Sequence, residues 1–119
     1  MIPGLKYIPV FLLLAATSAF AADNKDAARA GAVLFRDKGC AFCHGLDLKG
    51  SKKAPALTDI RTNKAWPAAK MTGQILDGGK KMPPFRDSLS DDEIQQLVQF
   101  LRAKDRPTPP PADAAPPAN

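Results

Sequence analysis

The clearest hydrophobic periodicity lies near the C-terminal end of the chain. Ile94, Leu97, Val98 and Leu101 recur at intervals of three and four residues, with Phe100 beside them. This spacing places apolar side chains on one face of a helix, which then packs against the rest of the fold. The pattern therefore predicts an amphipathic helix that ends near residue 104.

Capping signals flank this predicted helix. Ser90 and Glu93 have the spacing of a capping box, in which each residue closes a hydrogen bond in the first turn. Asp91 and Asp92 suit the positive end of the helix dipole, and Pro107 prevents extension beyond the C-terminal end. We therefore expect the helix to begin directly after Ser90.

An alanine-rich segment, residues 25–38, predicts another helix nearer the N-terminus. Ala27, Gly31, Leu34 and Phe35 share one face of it at helical spacing. A glycine inside a helix costs about 1 kcal/mol relative to alanine, so Gly31 implies the close approach of another backbone.

The middle of the chain predicts one short helix and several loops. Residues 67–77 are expected to form this helix, with Pro67 in its first turn and Gly78 as its stop. Residues 78–85, GGKKMPPF, contain two glycines and two adjacent prolines, which interrupt regular structure. No segment alternates apolar and polar residues as a strand does, so the predicted fold class is all-α.

The two ends of the chain differ in composition from its middle. Residues 1–21 have the pattern of a signal peptide cleaved after Ala21, because their apolar stretch is short and small residues precede that point. An uncleaved membrane anchor is the alternative. Residues 106–119 contain six prolines and predict an extended, disordered tail. One domain is expected over 23–105, in the periplasm and without stable membrane insertion after cleavage.

All the cysteines of the chain, and its one histidine, lie within five residues. Cys40, Cys43 and His44 fall on one side of a helical turn. Cys-x-x-Cys-His is the attachment signal for c-type haem, in which two thiols form thioethers and the imidazole binds iron. A domain of this size also needs stabilisation beyond its own core. We therefore predict one covalent haem c.

Two other uses of these residues are disfavoured. A thioredoxin-like redox pair needs a βαβ context, whereas an alanine-rich helix precedes Cys40. A structural zinc site needs four cysteine or histidine ligands, and the chain has three. Lysine and arginine outnumber aspartate and glutamate by only 17 to 12, without an aromatic-interleaved basic run, so no nucleic-acid partner is expected.

Over residues 27–104 the chain resembles the small class I cytochromes c. The resemblance rests on four segments: GAVLFRDKGCAFCHG at 31–45, APAL at 54–57, GGKKMPPF at 78–85 and LVQFLRAK at 97–104. It implies the cytochrome c fold, in which the first and last helices cross, here at Gly31, Phe35 and Phe100. It also implies a single-haem electron carrier.

The family places a second axial iron ligand, a methionine, in a loop before the last helix. Met82 lies in such a loop, where Pro83 and Pro84 restrict the backbone. Met71 lies inside the short helix, where methionine is usually part of the core, so we favour Met82 and keep Met71 as the alternative. His/Met ligation fills both axial positions and raises the reduction potential, which predicts electron transfer.

The resemblance implies further contacts to the haem. The backbone carbonyl of Pro55 would accept a hydrogen bond from the ring of His44, and Trp66 and Arg61 would contact the haem propionates. Loop shaping by Pro55, core packing by Trp66 and a solvated charge on Arg61 are the alternatives. Apolar residues are also expected to line the haem pocket: Leu57, Ile60, Ile75, Leu76 and Phe85.

The predicted function is a monomeric, non-enzymatic periplasmic carrier that passes one electron between dehydrogenase, oxidase or reductase complexes. Lysines next to the haem motif and the methionine loop would attract such partners, unless they are ordinary solvated charges: Lys49, Lys52, Lys53, Lys80 and Lys81. The alternative functions are a haem subunit of a larger dehydrogenase or oxidase complex, and a haem sensor or peroxidase.

Overall fold

The computed structural model describes residues 18–109, together with Gly4 and Pro111, and for 18–23 it describes the backbone alone. This part of the chain contains helices and no strand, which confirms the all-α prediction. In chain order the elements are α1 (Ser18–Asp37), α2 (Cys40–His44), a 3₁₀ turn (Ile60–Thr62), α3 (Ala68–Asp77) and α4 (Asp91–Arg102).

Helix α1 is longer than the sequence pattern indicated. It begins at Ser18, whereas the periodicity predicted a start near Lys25. Apart from Gly4 and the backbone of residues 18–21, the predicted signal peptide lies outside the described residues, and so do residue 110 and the tail from residue 112 onwards. The signal peptide and its cleavage point stay predictions.

Helices α1 and α4 cross in close contact, as the family resemblance implies. A Cβ atom at Gly31 would lie 2.7 Å from the Cβ of Phe100 and would overlap the carbonyl oxygen of Gln96. The rings of Phe35 and Phe100 pack beside this point, with centroids 5.3 Å apart. The glycine therefore allows two helix backbones to approach more closely than any side chain would permit.

The core lies between α1, α3 and α4. It consists of buried apolar side chains from these helices and two loops: Ala32, Phe35, Leu48, Met71, Ile75, Leu89, Ile94, Leu97, Val98, Phe100 and Leu101. The capping box at the start of α4 is confirmed, because the hydroxyl of Ser90 accepts from the Glu93 amide and the Glu93 carboxylate accepts from the Ser90 amide.

The chain continues to contact the domain after α4 ends. The guanidinium of Arg106 donates to the carbonyl oxygens of Leu101, at 2.9 Å, and of Leu57, at 3.4 Å. Pro109 is buried, and the carbonyl of Pro111 accepts a hydrogen bond from Arg36 at 2.8 Å. The first residues of the proline-rich segment therefore pack against the helices and the loop that contains Leu57.

Candidate haem site

Helix α2 presents the two cysteines and the histidine on one turn. At about 100° per residue, Cys40, Cys43 and His44 point to the same side. Both cysteines are half-buried, and burial raises the pKa of the Cys40 thiol to about 11. A redox-active cysteine pair requires a lowered thiol pKa, so this environment disfavours a thioredoxin-like role.

The ring of His44 is fixed by one backbone carbonyl. Its Nδ1 lies 2.9 Å from the oxygen of Pro55, so the N–H at this position donates to that carbonyl. This contact leaves the other ring nitrogen, Nε2, as the one that can bind a metal ion. The contact is the one that the family resemblance implies.

The loop that carries Pro55 is folded back onto α2. The hydroxyl of Ser51 donates to the carbonyl of Cys43 at 2.6 Å, and the amide of Gly50 donates to the carbonyl of His44 at 2.7 Å. Further along, the Leu57 amide donates to Leu48 at 2.7 Å. Ser51 therefore positions the loop for the histidine. This role of Ser51 was not predictable from the sequence, because a serine in a lysine-rich loop carries no periodic signal.

The loop that carries Met82 is held against the end of α3. Gly78 adopts a left-handed conformation, with φ 67°, and a Cβ there would lie 2.7 Å from the carbonyl carbon of Pro83. The amide of Phe85 donates to the carbonyl of Ile75 at 3.0 Å, and the amide of Gly79 donates to Met82 at 2.9 Å. These contacts fix the backbone on both sides of the methionine.

The two methionines have different surroundings. Met82 is half-buried at the edge of the core, and its sulfur lies 3.9 Å from the side-chain nitrogen of Gln74, which donates to it. Met71 is buried inside the core, with 2% of its surface exposed. Of these two residues, Met82 alone is only partly buried, and its role as an iron ligand stays a prediction.

The remaining predicted site residues lie on the loop between α2 and α3 and on the loop after α3. Trp66 packs against the core, with the Lys70 ammonium 4.4 Å from its ring centroid, whereas Arg61 is exposed and close enough to Arg106 for repulsion. Leu57 and Phe85 are half-buried against the core. The role of Trp66 and Arg61 at haem propionates stays a prediction.

The residues present fit a covalent haem. They supply two thiols and an imidazole on one turn, and a thioether at the edge of the core. Several apolar side chains are packed against the core yet only partly covered, as expected for the lining of a large apolar cofactor: Leu34, Leu57, Ile60, Trp66, Leu76 and Phe85.

Comparison with known proteins identifies the class that this fold and site define, the small c-type cytochromes. Residues 26–101 match the family described as cytochrome c oxidase, cbb3-type, subunit III, and the chain belongs to that family. Its cofactor is therefore covalently bound haem c, and it is an electron-transfer protein that acts with redox partners.

Individual relatives share its sequence at a moderate level. Cytochrome c-551 of Pseudomonas aeruginosa is 35% identical over 78 residues, which are 58% of this chain and 71% of the relative. Lupanine 17-hydroxylase [cytochrome c] of Pseudomonas sp. is 32% identical over 79 residues; the match spans 65% of this chain but only 11% of the hydroxylase. The solved structure of the c-type cytochrome NirC superposes with a TM-score of 0.50 at 32% identity, over 66% of this chain and 89% of that one.

Proposed function

We propose that the protein is a periplasmic electron carrier whose haem is attached to Cys40 and Cys43 and has His44 and Met82 as axial ligands. The haem supplies an iron centre that gains and loses one electron. The observation that carries the proposal is the placement of Met82, which is partly buried against the core and has its backbone fixed on both sides. Met71 supports the assignment by contrast, because it is buried inside the core.

The ligand set determines what the protein can do. His44 and Met82 would both hold the iron, so that no coordination position would remain for oxygen, peroxide or a substrate. The contacts from Pro55 and from Gln74 hold these two side chains in place. This supports a carrier and not an enzyme.

The N-terminal sequence and the exposed lysines support the proposed location and partners. The N-terminal signal-peptide pattern supports export, and none of the described helices has the length and apolar character needed to cross a bilayer. The exposed lysines near both ligand-bearing loops support transient docking of redox proteins: Lys49, Lys52, Lys53, Lys80 and Lys81.

The second candidate is a haem subunit of a larger enzyme complex. It is favoured by the match to part of the lupanine hydroxylase and by the description of the family as an oxidase subunit. Gel filtration and affinity purification of the native protein distinguish the two. A free monomer supports the carrier, whereas stoichiometric recovery with a large redox enzyme supports the subunit.

Replacement of Met82 tests the axial ligand directly. In the haem-loaded protein, Met82→Leu should abolish the sulfur-to-iron charge-transfer absorption of the ferric form and allow carbon monoxide to bind the ferrous form. Met71→Leu is the matched control and should change neither spectrum. Carbon monoxide binding by the wild-type ferrous protein would instead support a sensor or a peroxidase.

A further inference from the structure

Two oppositely charged side chains lie at the ends of the loop that carries Met82. Asp77 is the last residue of α3, Arg86 directly follows the loop of residues 78–85, and a guanidinium nitrogen of Arg86 forms an ion pair with the carboxylate of Asp77. Both side chains are exposed, with 65% of Asp77 and 58% of Arg86 accessible. The ion pair therefore joins the two ends of the loop at the protein surface.

The position of Asp77 in α3 is unfavourable for the helix itself. The C-terminal end of a helix carries partial negative charge, so a carboxylate in the last turn is repelled. Aspartate also has a lower helix propensity than most residues. The hydrogen bond from Arg86 is therefore the contact, within the described part of the chain, that compensates for an acidic residue at this end of α3.

Two backbone hydrogen bonds lie beside the ion pair. The amide of Phe85 donates to the carbonyl of Ile75 at 3.0 Å, and the amide of Arg86 donates to the carbonyl of Leu76 at 3.2 Å. Ile75 is buried and Phe85 is half-buried against the core, so the inner part of the loop base rests on apolar packing. The ion pair lies on the solvent side, and opening of the loop at its base requires all three links to break.

We propose that Asp77 and Arg86 are positioning residues for Met82, because their ion pair keeps the loop closed and so holds the methionine in place as an iron ligand. We call this pair the loop clamp. The inference rests on the proposed ligation by Met82 and adds the residues that maintain it. A carrier needs such a clamp because an open loop would leave a coordination position accessible to other molecules.

Imidazole binding to the haem-loaded ferric protein tests the loop clamp. Imidazole binds the iron only while the loop has released Met82, so its apparent affinity is proportional to the fraction of open protein. Asp77→Asn and Arg86→Gln should each raise this affinity about threefold to fivefold, the ratio expected for the loss of one exposed ion pair. Absorbance titrations at a pH above the pKa of imidazole use a neutral probe, so the lost charge has little direct effect on its binding.

Further variants distinguish the clamp from other effects of the same charges. The double variant Asp77→Asn with Arg86→Gln should bind imidazole no more tightly than either single variant, because all three lack the same contact. Asp77→Arg should raise the affinity more than Asp77→Asn does, because two guanidinium groups repel, whereas the helix dipole alone predicts the opposite order. Asp26→Asn is the matched control, since it breaks an exposed pair with Arg29 on α1, and should leave the affinity unchanged.

Amide hydrogen exchange measures the loop without reference to the iron ligand. In the haem-loaded ferrous protein, the amides of Gly79 and Phe85 should exchange about threefold to fivefold faster in Asp77→Asn than in the wild type, because both hydrogen bonds belong to the loop or its base. The amide of Ile94, which donates to the Ser90 carbonyl at the start of α4, should exchange at the wild-type rate.

The Met82→Leu variant separates failure of the clamp from failure of the proposed ligation. This variant should bind imidazole more than about tenfold more tightly than the wild type, because no methionine competes for the iron. If it does, but Asp77→Asn and Arg86→Gln keep the wild-type affinity, the loop clamp is overturned and the ligation stands. Effects that multiply in the double variant would also overturn the clamp, since the two residues would then act separately. Equal affinities in Met82→Leu and the wild type would contradict ligation by Met82 itself.

Discussion

The side-chain amide of Gln74 donates a hydrogen bond to the sulfur of Met82, with 3.9 Å between the two atoms. The contact joins α3 to the loop that follows it, across eight residues of the chain. An N–H group directed at a thioether withdraws electron density from the sulfur and adds positive potential near the metal it binds. Both effects disfavour the ferric state relative to the ferrous state when Met82 is an iron ligand.

Replacement of Gln74 should therefore lower the reduction potential. Gln74→Leu keeps the approximate size of the side chain and removes the donor. A hydrogen bond has a net worth of about 0.5–1 kcal/mol in typical cases, and a tenfold change in a one-electron equilibrium corresponds to about 59 mV. We expect a decrease of about 20–40 mV, measured by redox titration of the haem-loaded protein.

Gln95→Leu is the matched control for this measurement. Gln95 is exposed on α4 and its amide contacts Thr72 at 3.5 Å, away from Met82. The reduction potential of the Gln95→Leu variant should equal that of the wild type. An unchanged or raised potential in Gln74→Leu would show that the amide does not act on the sulfur.

A pair of glycines tests the crossing of α1 and α4. A Cβ at Gly31 would lie 2.7 Å from the Cβ of Phe100, whereas no atom lies within 4 Å of a Cβ at Gly73, in the interior of α3. Helix propensity alone predicts that alanine stabilises both positions by about 1 kcal/mol. We expect Gly31→Ala to lower the free energy of unfolding by about 2–4 kcal/mol, because the two helices must separate.

Denaturant unfolding of the haem-loaded variants measures both effects. Gly73→Ala should unfold at an equal or higher denaturant concentration than the wild type. Stabilisation in both variants would mean that α1 and α4 are not in close contact at Gly31.

These variants also show what the sequence could predict. The Gly31 contact was predictable because a mid-helix glycine is costly unless a backbone lies against it, and the capping box at Ser90 was predictable because its spacing is local. The hydrogen bonds of Ser51 to Cys43 and of Gln74 to Met82 were not predictable, because each depends on how a loop folds back onto a helix. The start of α1 at Ser18 was not predictable from apolar periodicity, because that periodicity begins later in the sequence.

The capping box makes the stability of α4 dependent on pH. The Ser90 backbone amide, as the main cause, lowers the pKa of Glu93, so folding favours the ionised carboxylate. This stabilisation is fully present above the pKa of the unfolded chain, near 4.5, and is lost as the pH falls through the lower pKa of the folded protein. Relative to Glu93→Gln, the wild type should therefore be more stable at neutral pH, with the difference disappearing in acid.

The Ser90→Ala variant distinguishes the contribution of the Ser90 hydroxyl to stability from the contribution of the Ser90 backbone amide. The variant loses the oxygen that accepts from the Glu93 amide at 3.2 Å, which should lower the unfolding free energy by about 1 kcal/mol. It keeps the backbone amide that acts on the carboxylate, so the pH-dependent step should persist. Thermal unfolding at several pH values measures both effects, and a step that disappears in Ser90→Ala would contradict the assigned cause.

The contacts of Arg106 predict where the stable domain ends. Its guanidinium bonds to carbonyl oxygens at the end of α4 and to Leu57, two residues after the carbonyl that orients His44. Burial lowers the pKa of Arg106, which is an unfavourable effect that these hydrogen bonds offset. Arg106→Gln should therefore lower the unfolding free energy by about 1–2 kcal/mol. Arg29→Gln, which breaks only an exposed pair with Asp26, should change it by less than about 0.5 kcal/mol.

Shortened chains test the domain boundary at residue 105, which the amino-acid composition predicted. A haem-loaded chain that ends after residue 105 loses both Arg106 and the buried Pro109, whereas one that ends after residue 111 keeps them together with the hydrogen bond from Arg36 to Pro111. We expect the shorter chain to be at least as unstable as Arg106→Gln and the longer one to match the full-length protein. If the chain ending at 105 is as stable as the full-length protein, the segment after α4 adds nothing to the fold, and the composition alone marked the correct boundary.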